Sequence, residues 1–138
     1  MKKTARVEWL GEGFKLEGLT DNGKIVKMDS GEGAVAASPA QLMLQALAGC
    51  TMMDVVLILT KSRKKPEKFW VELAAEESET HPKVFPKIHI TYNFTGSLLD
   101  NASVERAIKL SEENYCRVHA MLKTSAELSS SYKIHNNG

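Results

Sequence analysis

Ser38-Pro-Ala-Gln-Leu-Met-Leu-Gln-Ala-Leu-Ala-Gly-Cys-Thr-Met-Met-Asp-Val-Val-Leu-Ile-Leu-Thr-Lys61 holds the longest apolar run of the chain and one of its two cysteines. Its start reads as a helix N-terminus. Ser38 suits the cap, Pro39 suits the first helical position where no N–H is needed, and Gln41 completes a capping box. Beyond that start, Leu42, Met43, Leu44, Leu47, Met52, Met53, Val55, Val56, Leu57, Ile58 and Leu59 cover nearly every helical angle. A helix apolar on every side is a buried one. A bilayer span is the competing reading, but Gln45 and Asp54 inside the run and the lack of flanking aromatic belts argue against a membrane. A chain of 138 residues rarely wraps so long a helix by itself, so a partner subunit is expected as its second cover.

The rest of the composition is that of one soluble domain spanning residues 1–138, with 43% hydrophobic and 25% charged residues. Eighteen basic and 17 acidic residues nearly cancel, and the one dense basic run, Lys61 to Lys65, closes the long helix, where it complements the dipole. That leaves no basic face broad enough for nucleic acid. Met1-Lys-Lys leads into a strand pattern with no apolar leader, which points to a cytoplasmic protein. Two cysteines 66 positions apart are no secreted disulfide framework; in a reducing compartment they are buried or redox-active thiols.

Residues 4–10, 14–19 and 24–29 read as three strands joined by Gly11-Glu-Gly13 and Asp21-Asn-Gly23 turns, an antiparallel meander. The glycine-rich 30–37 segment has no usable period and reads as a mobile loop ahead of the helix. The helix should stop near Lys64, because Pro66 disfavours helical geometry before it. Strands follow at 69–75 and 87–95, then a helix capped by Asp100 or Asn101 with a one-sided stripe at Val104, Ala107, Ile108 and Leu110. Asn114-Tyr-Cys-Arg-Val-His119 breaks that pattern, Ala120–Lys123 allows one short further turn, and a last strand runs from Glu127 to Ile134. The order predicts an α+β fold with antiparallel sheets around a long central helix.

No phosphate-binding glycine fingerprint and no nucleophile elbow occur, and the scattered histidines do not make a metal site or call for a cofactor. Two thiols are left. Cys50 lies about three turns inside its helix, where the dipole does little to ionise it. Cys116 lies at a helix break beside Arg117 and three before His119, where amide donors and positive charge would favour a thiolate. On local grounds either could equally be an inert packed cysteine.

The motifs around Cys50 and around Cys116, Ser38-Pro-Ala-Gln through Gly49-Cys50-Thr and Asn114-Tyr-Cys116-Arg-Val-His-Ala-Met-Leu122, resemble the OsmC/Ohr family, especially its OsmC-like branch, and the likeness runs through the whole chain. The resemblance implies an intertwined homodimer with two central helices and with sites formed partly by the subunit interface. It further implies a cysteine peroxidase of organic hydroperoxides, with Cys50 as the peroxidatic residue, Cys116 as the resolving one, and a dithiol reductant for which a lipoyl-type dithiol is the candidate. Active members of the family carry a glutamate ten residues before the first cysteine, where this chain has Ala40, and an arginine from the meander, where residues 12–15 offer none. Lys15, Arg6, Arg117 and Glu32 are the possible substitutes. Those departures favour a rival reading, a non-catalytic member that binds an apolar small molecule in the dimer cleft. On the helix itself, Met43, Ala46, Leu47, Met53 and Leu57 surround Cys50 at one and two turns with Asp54 the sole polar neighbour, so the thiol is expected to open on an apolar cleft.

Overall fold

The computed structural model describes residues 1–135. Their order is β1 (Ala5–Trp9), β2 (Leu16–Thr20), β3 (Ile25–Met28), α1 (Pro39–Lys61), β4 (Lys68–Glu76), β5 (Lys87–Thr95), α2 (Asn101–Leu110), a π-turn (Ser111–Tyr115), α3 (Arg117–Leu122) and β6 (Glu127–His135). The fold is α+β. The chain divides into two compact units, Met1–Gln45 and Ala46 onward.

In the first unit β1, β2 and β3 form the expected antiparallel meander, with Glu8 opposite Glu17 and Gly18 opposite Val26. Val7, Trp9, Leu19, Ile25 and Val26 leave large apolar side chains exposed on it. The 30–37 loop is better fixed than its glycines suggest. Asp29, nearly buried, accepts the N–H groups of Ser30 at 2.7 Å and Val35 at 3.1 Å, and its own amide donates to the Ala37 carbonyl. Those bonds, that to Val35 first, hold the Asp29 carboxyl below its usual range. The helix cap forms as read: the Ser38 amide donates to Gln41 Oε1 at 2.9 Å, and the Gln41 amide donates to Ser38 Oγ at 3.2 Å.

In the second unit the sheet order is β4-β5-β6. β4 and β5 pair antiparallel, whereas β6 pairs parallel to β5, with Ile88 beside Leu128 and Tyr92 beside Tyr132. This corrects the expectation of wholly antiparallel sheets. The helical segment between β5 and β6 supplies the long crossover that a parallel pair requires, and strand patterning alone does not encode direction. Ile88, Ile90, Tyr92 and Phe94 alternate along the buried face of β5, with Phe69 stacked on Phe94 at 4.4 Å between ring centroids. Val104 and Ala107 are the wholly buried residues of α2.

α1 ends at Lys61, short of the expected Lys64. Arg63 takes a positive φ of 61°, the Lys64 amide reaches back to the Leu59 carbonyl, and Lys64 Nζ is held 2.9 Å from Asp100, the cap of α2. Within the second unit, only one stripe of α1 is buried, through Leu47, Thr51, Val55 and Leu59, while Met53 is 77% and Leu57 54% exposed. By length and composition alone α1 could cross a bilayer. Its polar groups instead bond into the fold: Ser111 donates to Asp54, and Thr51 donates to the Leu47 and Ala48 carbonyls of its own helix.

Candidate functional site

Cys50 sits in α1 on the turn that begins at Leu47, where Thr51 Oγ1 folds back on the carbonyls of Leu47 and Ala48. Its thiol is half-buried. Cys116 ends the π-turn and begins α3: its amide donates to the Ser111 carbonyl at 2.7 Å, its backbone is extended, and its Sγ accepts the His119 amide at 3.3 Å. The π-turn explains the break in the helical pattern. By spending an extra residue in one turn, the chain swings Cys116 inward instead of continuing α2.

The fold brings the two thiols together. The Cys50 side chain is near enough to raise the Cys116 thiol, and both cysteines are free. Burial first, then the neighbouring Cys50 side chain, pushes the Cys116 thiol up to about 12, against the lowering by the amides of His119 and Val118. Its residue is only 2% exposed. The sequence had suggested a thiolate-favouring surrounding for Cys116, and the structure reverses that. His119 contributes no positive charge at neutral pH, because burial lowers its pKa and its Nδ1 has no partner. Arg117 is exposed on the first turn of α3.

Residues that the sequence did not single out anchor the π-turn that leads into Cys116. Tyr92, wholly buried, donates to Glu112 Oε2 at 2.7 Å, and Ser130 donates to Glu112 Oε1 at 3.2 Å. Burial foremost, with the Glu112 contact, keeps the Tyr92 phenol protonated. Beside Asp54, Leu57, Ile58, Leu110, Tyr115, Arg106 and Lys61 line an open groove of about 680 Å³. Arg106 is therefore a cation near the thiol turn that sequence reasoning missed, since α2 spacing alone does not show which face meets α1. Of the substitutes considered, Lys15 is paired with Glu12 at 3.6 Å. Among the described residues, no three His, Cys, Asp or Glu side chains gather as a metal site would require.

The unequal surroundings of the thiols have a direct chemical consequence. Iodoacetamide at neutral pH reacts with thiolates that it can reach. Peptide mapping after brief alkylation should find Cys50 modified and Cys116 largely untouched; equal labelling would contradict the burial described.

Two three-stranded sheets with a long α1 and a cysteine-capped α3 define an α+β class of fold. The chain belongs to the OsmC-like protein family, whose model matches residues 30–131. It is similar to protein YhfA of Escherichia coli, at 38% identity over 130 residues, covering 94% of this chain and 96% of the relative. Among solved structures, a hypothetical protein from Aquifex aeolicus aligns over 100% of this chain and 99% of its own with TM-score 0.86 and 30% identity. An organic hydroperoxide resistance protein OsmC from Legionella pneumophila aligns over 96% and 97% with TM-score 0.69 and 17% identity.

Proposed function

We propose that the protein is a thiol-dependent peroxidase that reduces organic hydroperoxides through Cys50 and Cys116. The observation that carries this reading is the nearness of the two free cysteines, Cys50 half-buried and close enough to raise the thiol of the buried Cys116. The Legionella relative is by name an organic hydroperoxide resistance protein, and at its identity the likeness supports the shared fold.

The Cys50 thiolate attacks the distal peroxide oxygen, the O–O bond breaks, and the alkoxide leaves and takes up a proton as the alcohol. Cys50 is thereby oxidised to the sulfenic acid. The Cys116 sulfur then attacks the Cys50 sulfur, the S–S bond forms, and hydroxide leaves with the Cys116 proton as water. A dithiol of lipoyl type restores both thiols by exchange and is itself oxidised to its disulfide. Cys50 is the attacker because it can be reached, whereas the buried Cys116 is sheltered from peroxide and gives up its proton only as it attacks the oxidised Cys50 sulfur. A reducing compartment such as the cytoplasm keeps both thiols reduced between turnovers.

The same reading includes a homodimer. The exposed apolar side of α1, with Met53, Val56 and Leu57, is more greasy surface than a lone small chain ordinarily leaves open. Sedimentation at micromolar concentration should show a dimer; a stable folded monomer would remove this part. The second reading, an apolar-ligand binding protein, is favoured by Ala40 and the absent meander arginine. Steady-state consumption of cumene hydroperoxide with dihydrolipoamide decides between them. Turnover supports the peroxidase, and none with fully reduced protein supports the binding protein.

A further inference from the structure

Ser111 is wholly buried, and it is bonded in two directions. Its hydroxyl donates to Asp54 Oδ2 at 2.9 Å and lies 3.4 Å from the Thr51 carbonyl, both on the turn of α1 that follows Cys50. Its own carbonyl accepts the amide of Cys116 at 2.7 Å. A single residue thus joins the turn that carries the first thiol to the backbone of the second. Glu112, next in the chain, is tied to β5 by Tyr92 at 2.7 Å, so the π-turn is gripped on two sides. Such turns are rare and short, and they persist where surrounding bonds fix them.

We propose that Ser111 and Asp54 are positioning residues for the thiol pair, their hydroxyl-to-carboxylate bond locking the π-turn onto α1 and holding the Cys116 sulfur within reach of Cys50. The inference rests on the dithiol chemistry proposed above. Each acts by keeping the effective concentration of Cys116 high at Cys50, a quantity that falls steeply when a reacting group is misplaced. Asp54 matters here as an acceptor more than as a charge, because its partner is a neutral hydroxyl.

The test is the reduction potential of the Cys50–Cys116 disulfide, measured in oxidised and reduced dithiothreitol buffers, together with the rate at which a Cys50 sulfenic acid closes to the disulfide. Ser111→Ala and Asp54→Ala should weaken the disulfide about tenfold, which makes the potential less negative by about 30 mV for this two-electron couple. Closure should slow by a similar factor in both, while in Ser111→Ala, whose side chain lies outside the groove, sulfenic acid formation stays within about twofold. Asp54→Asn keeps an acceptor oxygen for Ser111 and should restore both quantities to within about threefold of the wild type. If Ser111→Ala does not fold, the comparison of Asp54→Asn with Asp54→Ala carries the test alone. Tyr132→Phe removes the 2.6 Å bond to Glu105 away from the thiols and should leave the potential unchanged. Unchanged potentials in the alanine variants, an equal shift in Tyr132→Phe, or Asp54→Asn behaving like Asp54→Ala would overturn the proposal. A wild type that closes its disulfide in the buffers yet consumes no hydroperoxide would sink the peroxidase reading and leave this one standing.

Discussion

Cys50→Ser should lower cumene hydroperoxide consumption to the uncatalysed rate, because a serine hydroxyl at neutral pH supplies no nucleophile comparable to a thiolate. Cys116→Ser should behave differently. Its Cys50 still attacks, so one equivalent of peroxide is consumed, but no neighbouring thiol captures the sulfenic acid. Further peroxide then carries Cys50 up the oxidation ladder to sulfinic and sulfonic acids, and turnover stops. The two variants separate the roles: one loses the first chemical step, the other loses protection after it. Burst amplitude and intact mass check both, and full activity in Cys50→Ser would reverse or remove the assignment. The asymmetry rests on burial, since Cys116 is 2% exposed with its thiol pushed up to about 12.

The second large effect is in substrate choice. Leu57, Ile58, Leu110 and Tyr115 give an apolar wall to the groove that begins at Asp54, one turn beyond Cys50. Such a wall contributes roughly 25 cal/mol per Å² of ligand surface that it removes from water, and hydrogen peroxide has almost none to offer. An aryl or alkyl group burying about 100 Å² gains around 2.5 kcal/mol, somewhat under a hundredfold. With a dithiol reductant, kcat/KM for cumene hydroperoxide should exceed that for hydrogen peroxide at least tenfold. Equal rates would refute the apolar-cleft argument. The groove also holds Asp54 beside Lys61 and Arg106, so a neutral aryl peroxide is a cleaner probe than an anionic one.

Much of this fold was legible wherever one local rule dominates. The Ser38/Gln41 capping box and the Asp100 cap of α2, one of two candidates, are sequence-local and form, whereas β5 alternates only up to Thr91 and is buried on both faces from Tyr92 to Thr95. What escaped depends on partners distant in the chain. The parallel placement of β6 is decided by the crossover and not by its side chains. The stop of α1 at Lys61 follows from the Arg63 turn and the Lys64–Asp100 pair, and the loop after β3 is fixed by Asp29, whose carboxylate was not suspected of a structural task.

The same division runs through the site. Both thiols were visible as the only cysteines, and the helix break before Cys116 was visible as a lapse in period. Their nearness was not, because it depends on a π-turn for which no residue pattern is diagnostic and on Ser111 reaching across 57 positions to Asp54. The thiolate-friendly reading of Cys116 failed for a related reason: neighbouring charge can be read from sequence, whereas burial cannot, and burial is the larger influence here.

The most direct test of the central claim is the product of a single turnover. Reduced protein treated with one equivalent of cumene hydroperoxide, quenched by alkylation and mapped by mass spectrometry, should contain a Cys50–Cys116 disulfide within one chain and no alkylated thiol. Recovery of both cysteines as alkylated thiols, or of an oxidised Cys50 beside a free Cys116, would contradict it.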